Sequence, residues 1–503
     1  MDFTVIPKPQ QLKLSNGKCS KLDKIAFNVD STLPNEGYHL TVTADGATVL
    51  SSTETGAFYA KKTLDMMFQT LGYYPHCDII DYPKCAYRSV MLDVGRYFYP
   101  VDDIKKLIDD ASKLKLNVFH WHLTEDQGWR PQIDAYPTLT EIGSKRNSTN
   151  GFPCPSKGFY SKAEMRDVVK YAHDRHMIVV PEVDIPGHTR GAIAGLKELS
   201  CFNRELPVAN HFGVKHDILC AGRENTYNFL KTVFAELCEI FTDGYFHLGA
   251  DEAVKMRWKL CKECQQVIKE QNLKDEDALQ VYFLNRLNRE FFKPKNIHPI
   301  IWVCEAAPAN LDLEFVLMHY GGGHSAEIEN SLKLGYDVIS ADSNFFYFDF
   351  PHKLTPLSKT FEGGKLFAKQ GVDSAKSTQL TAVSATYGHL LGGSLSIWTE
   401  YIPRMSTLEK RVFPRILAGA EAMWSPYDKD NYPDFEKRAH AYEDTYKADR
   451  NFTSVEYANR TKGFMPLLDK LWWARRPLHW EGLHNLIDDA SVKSLAKKQA
   501  KNK

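Results

Sequence analysis

Between about Arg88 and Trp424, short apolar runs alternate with longer stretches in which apolar residues recur every three or four positions. Ser89 to Val94 is the first strand this pattern predicts. Val101 to Leu116 follows as a helix, with Ile104, Leu107, Ile108, Ala111 and Leu114 on one face. Asn117 to Leu123 predicts a second strand and Lys162 to Arg175 a second helix. Ile178-Val179-Val180 is a β-branched run of the kind buried on both faces of a parallel sheet. Tyr227 to Phe241 and Ala278 to Phe292 carry helical spacing on either side of a strand at Tyr245 to Leu248. Ile300 to Val303, Phe315 to Met318, Val338 to Ala341 and Ser394 to Trp398 complete the set. Eight strands with mostly helical connections predict an α/β fold, a TIM-type (β/α)8 barrel. On periodicity alone, an open doubly wound sheet is the competing arrangement.

The residues before this region read differently. Thr41-Val42-Thr43 and Thr48-Val49-Leu50 predict strands joined through Asp45-Gly46, a hairpin signal, and Gly56 to Phe68 has helical spacing. Tyr82-Pro83-Lys84 breaks the pattern and marks a junction. The chain therefore divides into a small α+β domain (1–85), the barrel (86–425) and a C-terminal helical extension packed on it (426–503). That extension ends in a frayed basic tail, Lys497 to Lys503.

Length and charge narrow the class. A chain of 503 residues exceeds one compact core, in keeping with this division. Its 63 basic and 63 acidic side chains balance, which argues against nucleic acid as the main partner. No stretch approaches the roughly 20 apolar residues that span a bilayer. The opening Met1 to Pro9 lacks the charged-then-apolar layout of a signal peptide, which fits a cytosolic protein or an unconventional route. Acceptor sequons at Asn147, Asn451 and Asn459 point instead to a lysosome-like or secreted one. Among ten scattered cysteines, Cys261-Lys262-Glu263-Cys264 is the one close pair. With no second such pair or nearby His pair to complete a zinc set, a local disulfide or two ordinary thiols is the expected reading.

In a barrel, chemistry sits where the strands end. Here those ends read Leu92-Asp93-Val94-Gly95-Arg96, His120-Trp121-His122-Leu123-Thr124-Glu125-Asp126, Pro181-Glu182-Val183-Asp184-Ile185-Pro186-Gly187-His188, His247-Leu248-Gly249-Ala250-Asp251-Glu252, Tyr347-Phe348-Asp349 and Trp398-Thr399-Glu400. Each has a plain alternative: Asp251-Glu252 as an acidic first turn of a helix, His188 as a turn residue, Arg96 as an ion-pair partner, Trp302 and Trp398 as core. The functional reading rests on their convergence at one rim. His120, His122, His188, His247, Asp251 and Glu252 also include metal-ligand types, but no HExxH or similar helix-spaced set appears. Neither a catalytic metal nor a cofactor is expected.

These segments closely resemble glycoside hydrolase family 20, the β-N-acetylhexosaminidases. The most specific signatures are His-x-Gly-x-Asp-Glu at 247–252 and Pro-Glu-x-Asp-x-Pro-Gly-His at 181–188. Val5 to Gln10 and Thr53 to Ala60 look like parts of that family's small N-terminal domain. The resemblance implies removal of terminal β-linked N-acetylhexosamine from glycans by substrate-assisted catalysis, and related enzymes occur as monomers and as dimers. It implies Glu252 as general acid, with a raised pKa, and Asp251 as the carboxylate that orients the acetamido group. Tyr347 matches the hydroxyl that holds the acetamido oxygen, and His188 with Glu125 the pair supporting the acid. For the sugar it implies Arg96, Asp349 and Glu400 on hydroxyls, Asp126 as a further substrate-binding residue, and Trp302, Trp398 and Tyr320 as aromatic wall. Two departures stand out: His319-Tyr320-Gly321 where a wall tryptophan is expected, and Glu125-Asp126 where many members have two aspartates. A glycan-binding protein without catalysis, or a lacto-N-biosidase with a disaccharide-sized pocket, are the alternatives.

Overall fold

The computed structural model describes residues 3–150, 156–323, 325–369 and 388–459, with residues 489, 490, 492–494 and 496. The basic tail at 497–503 lies outside the described residues.

The first five strands, β1 (Gln11–Cys19), β2 (Ile25–Val29), β3 (Tyr38–Thr43), β4 (Gly46–Ser51) and β5 (Tyr74–Asp81), form one sheet in the order β1-β5-β3-β4-β2. Every pair is antiparallel except β2 with β4. In β3 and β5 burial alternates residue by residue, as one face packs and the other meets water. The helix Glu54–Leu71 covers the packed face with Tyr59, Ala60, Leu64 and Met67. Thr53 caps its start by accepting from the Gly56 amide, and Gly72, at φ 72°, ends it. The hairpin is shifted from its expected register. Thr43 pairs with Gly46, so Ala44-Asp45 makes the turn and Gly46, at φ 126°, opens β4.

The barrel strands are β6 (Tyr87–Asp93), β7 (Val118–His122), β8 (Ile178–Ile185), β9 (Tyr245–Gly249), β10 (His298–Val303), β11 (Val316–His319), β12 (Val338–Ser340) and β13 (Leu390–Ile397). They close in sequence order, each parallel to the next and β13 back to β6, which excludes the doubly wound alternative. β6, β7 and β9 are buried at every position, since side chains point either into the barrel or outward under the helices. Tyr87, Met91, Val118, Val180, Ile300, Val316, Met318 and Ile339 fill the interior. The helices are shorter than their apolar patterns. Val101–Lys113 ends before Leu114, and Glu276–Leu287 gives way to a π-helical turn at Asn288–Phe292. Beyond the barrel, Tyr432–Tyr446 and Val455–Asn459 are helical. No helix among the described residues is long and apolar enough to cross a membrane.

The sheet docks on the N-terminal end of the barrel through buried polar groups. Lys115 Nζ lies 2.8 Å from Asp81 Oδ2, which also accepts from the Tyr38 hydroxyl, while Trp424 Nε1 donates to Asp81 Oδ1. Arg88 pairs with Glu36 at 2.9 Å. The opposite, C-terminal rim is thereby left free for chemistry.

The cysteine expectation needs correcting. Cys261 and Cys264 are not an isolated pair: Cys201 and Cys220, distant in sequence, fold against them to make one buried four-sulfur cluster.

Candidate active site

Asp93, the last residue of β6, organises the rim where the barrel closes. Its Oδ1 accepts from the Gly95 and Arg96 amides, and its Oδ2 from the Thr399 amide and hydroxyl beyond β13. This latch sets Arg96 against Glu400, 4.0 Å apart, with the guanidinium over the Trp398 ring. Glu400 Oε2 is buried and without a hydrogen-bond partner, an acceptor left for a ligand hydroxyl.

Arg96 begins a relay. Its Nη2 is 2.6 Å from Glu125 Oε1, that oxygen is 3.0 Å from His188 Nδ1, and His188 Nε2 faces Glu252 Oε2 at 3.5 Å. Burial opposes charge on His188, but Glu125 and Asp184 outweigh it and hold the imidazolium well above its usual range. Burial likewise opposes charge on Glu125, and Arg96 with His188 holds it well below the carboxylate range.

β9 delivers the acidic pair through a tight left-handed turn. Gly249, Ala250 and Glu252 have φ of 64°, 75° and 46°. A Cβ on Gly249 would lie 1.8 Å from Asp184 Oδ1, which itself accepts from the Ala250 amide. Only glycine fits that approach. The turn sends neighbouring carboxylates into opposite settings. Asp251 points inward, its Oδ1 buried without a partner, and burial pushes its carboxyl up to about 6 against the pull of His188. Glu252 keeps 46% of its side chain exposed, and its hydrogen bond to His188 lowers its pKa despite partial burial. This corrects the expectation of a raised Glu252 pKa. In the open pocket the imidazolium dominates, and the raised group is Asp251.

Aromatic rings wall the recess beside Asp251. Trp302 and Trp398 have centroids 5.6 Å apart, Tyr320 meets Trp302 edge-on at 6.0 Å, and Tyr347 lies 6.4 Å from Trp398. Tyr347 is fixed because it bridges to Ser396 of β13, and the Phe348 amide donates to the Ser396 carbonyl. A cavity of about 520 Å3 opens beside Asp251, Glu252, Trp302 and Tyr320, within the range of small-ligand sites. A larger one, about 720 Å3, opens at the N-terminal end of β8 to β10 and holds none of these residues.

The structure thus brings together Arg96, Glu125, His188, Asp251, Glu252, Trp302, Tyr320, Tyr347, Trp398 and Glu400. Asp349 is buried next to Tyr347. Asp126 is set back: it is fully buried, and its Oδ1 accepts from the Arg190 amide. Sequence reasoning gave no role to Glu182, the centre of the floor. Its carboxylate accepts from Trp302 Nε1 at 2.7 Å and lies 2.8, 2.7 and 3.3 Å from nitrogens of His120, His122 and His247. Three of the four histidines that carry metal-ligand chemistry on paper, His120, His122 and His247, therefore gather around Glu182. Period-two spacing of His120 with His122 was the available signal, since it puts both rings on the inner face of β7.

Known proteins match this arrangement along its length. The family model "Glycosyl hydrolase family 20, catalytic domain" matches residues 85–427, and the same family's domain 2 matches 20–82. The chain is 34% identical to a beta-hexosaminidase of Porphyromonas gingivalis, over 85% of this chain and 56% of that one, so it spans about half of that relative's length. It is 30% identical to a beta-hexosaminidase of Akkermansia muciniphila, over 87% of this chain and 89% of the relative. The crystal structure of a beta-N-acetylhexosaminidase from Bacteroides fragilis superposes with a TM-score of 0.75 at 30% identity, covering 91% of this chain and 98% of that one. With its two regions matched in order and its rim built as described, the chain belongs to glycosyl hydrolase family 20.

Proposed function

We propose that the chain is an exo-acting, retaining β-N-acetylhexosaminidase that removes terminal β-linked N-acetylglucosamine or N-acetylgalactosamine, using the substrate's acetamido group as nucleophile. The observation that carries this reading is Asp251: a half-buried residue whose carboxylate Oδ1 is itself buried and unpartnered, beside an aromatic recess and next to an exposed glutamate. A sugar whose acetamido methyl enters the recess presents its N–H to Asp251 Oδ1. The Tyr347 hydroxyl then holds the acetamido oxygen beneath the anomeric carbon, a proximity role. That oxygen attacks, the glycosidic bond breaks, and its electron pair leaves with the proton from Glu252. Ionised Asp251 stabilises the resulting oxazolinium cation. Glu252, now a carboxylate, takes a proton from water as the water attacks the same carbon, breaks its bond to the acetamido oxygen and restores the β face. Such hydrolysis is this family's known exception to the scheme of two enzyme carboxylates. Arg96 and Glu400 close the far end of the pocket around one sugar, which favours single-residue release over a disaccharide-cutting biosidase.

Assays on aryl N-acetyl-β-glucosaminide, aryl β-glucoside and the aryl lacto-N-bioside test this reading. Only the first should turn over well. Preferred cleavage of the bioside, or binding without turnover, would contradict it. Glu252→Gln should lose roughly 10²- to 10⁴-fold in rate on poor leaving groups and less on activated aryl ones. Equal losses on both would remove Glu252 from the acid role.

A further inference from the structure

Away from the pocket, four cysteines from three separate stretches meet under the loops that follow β8 and β9. Cys201 lies in the connection after His188, and Cys220 in the segment leading to the helix Glu224–Cys238. Cys261 and Cys264 lie just beyond Asp251 and Glu252. All four are buried, with at most 6% exposure. Cys220 Sγ is 3.7 Å from both Cys261 Sγ and Cys264 Sγ, Cys201 Sγ is 3.9 Å from Cys264 Sγ, and all four sulfurs lie within 4.8 Å of one another.

These separations discriminate between the chemistries open to paired cysteines. A disulfide holds its sulfurs at about 2.05 Å, far shorter than any pair here. Four thiolates bound tetrahedrally at about 2.3 Å from a central ion sit about 3.75 Å apart, because a tetrahedron's edge is about 1.63 times its centre-to-corner distance. Four ordinary thiols packed for volume alone would have no reason to converge on one point from three stretches of chain. We propose that Cys201, Cys220, Cys261 and Cys264 form a closed, structural zinc site.

The surroundings suit a tetrathiolate. Binding converts four thiols and Zn²⁺ into a complex of net charge −2, with four protons released to solvent. Arg223 supplies opposing charge: its guanidinium donates to the Cys201 and Ser200 carbonyls at 2.9 and 2.7 Å, and its field reaches Cys220 and Cys261. Gly222 follows Cys220 by two positions, where the chain passes against the Cys261–Cys264 segment. Gly222 is required for the approach itself, since a Cβ there would lie 2.3 to 2.6 Å from Glu263 and Cys264 backbone atoms. The Cys220 turn is fixed from outside by Tyr227, whose hydroxyl donates to the Ala221 carbonyl, and by Trp258, whose indole donates to the Leu219 carbonyl. All four positions are saturated by protein sulfur, so the site offers no open coordination for substrate. Its effect is mechanical. The Leu219 amide donates to the Pro186 carbonyl, so the clamp joins the loop carrying His188 to the loop carrying Asp251 and Glu252.

The test is metal analysis of tag-free full-length protein purified without chelator. We expect one zinc per chain by mass spectrometry of the metal, released as a mercurial reagent titrates four thiols. Cobalt exchanged into the site should show the strong sulfur-to-metal absorption of tetrahedral thiolate ligation. Cys220→Ser and Cys264→Ser should each bring zinc well below one per chain, whereas Cys238→Ser, outside the cluster, should keep it. If those variants do not fold, zinc content and the cobalt spectrum of the unaltered protein decide the matter. Absence of stoichiometric metal, iron in place of zinc, an octahedral cobalt spectrum, or a disulfide between any two of the four in a non-reducing peptide map would each overturn the proposal.

Discussion

Asp251 and Glu252 are neighbours in the chain, yet they titrate in opposite directions from the ordinary carboxylate range. Burial takes Asp251 up to about 6, whereas Glu252 is held down by the His188 imidazolium. The proposed chemistry needs Asp251 ionised and Glu252 protonated, and a charge on Glu252 raises Asp251 further. The kcat/KM profile of the free enzyme should therefore be a bell at acid pH. It rises with pH through a value below the ordinary glutamate pKa and falls as pH passes about 6. His188 lowers both carboxyls, so His188→Ala should move both limbs to higher pH while reducing the rate. A rate loss with both limbs unmoved would leave His188 a packing residue only.

The element that sets this geometry is the turn after β9. Its three left-handed residues store strain of the kind that persists only where surrounding contacts fix it, about 1 to 3 kcal/mol for each non-glycine position. Gly249→Ala would drive a methyl into Asp184 and displace both carboxylates. A displacement of about 1 Å costs on the order of 10²-fold in rate. We expect a loss of at least that size with far-UV circular dichroism unchanged, and wild-type activity in this variant would mean that the turn does not position the pair. Elements like this one were partly legible in the chain. The barrel strands announced themselves because runs such as Ile178-Val179-Val180 are apolar on both faces. β1 and β5 did not, because Ser15-Asn16-Gly17-Lys18 and Tyr74-Pro75-His76 break any apolar alternation in strands that pack on one side only. Motif residues at strand ends identified the pocket. Glu182 was read only as a motif letter, because its partners lie on three other strands. The cysteine cluster was illegible for the same reason: Cys201 and Cys220 acquire meaning only once the loops after β8 and β9 are side by side.

At the scale of the whole molecule, the fold separates stability from chemistry. The N-terminal sheet is locked to one end of the barrel through Lys115 and Asp81, both almost fully buried. Lys115→Ala would strand the Asp81 carboxylate without its counter-charge, at a cost of about 3 to 5 kcal/mol. The variant should melt several degrees lower while its kcat at low temperature is unchanged, and an unaltered melting temperature would show that the junction holds without the pair. At the other end, the proposed mechanism makes the catalyst complete only with substrate bound, since it assigns the nucleophile to the substrate's own acetamido group. That claim is tested most directly with aryl glycosides whose N-acetyl group carries zero, one, two or three fluorines. Each fluorine withdraws electrons from the acetamido oxygen while the leaving group, the pocket contacts and Glu252 stay the same. The account predicts a steep, monotonic fall in kcat/KM along the series. A flat series, accompanied by a covalent glycosyl-enzyme on Asp251 or Glu252, would contradict it.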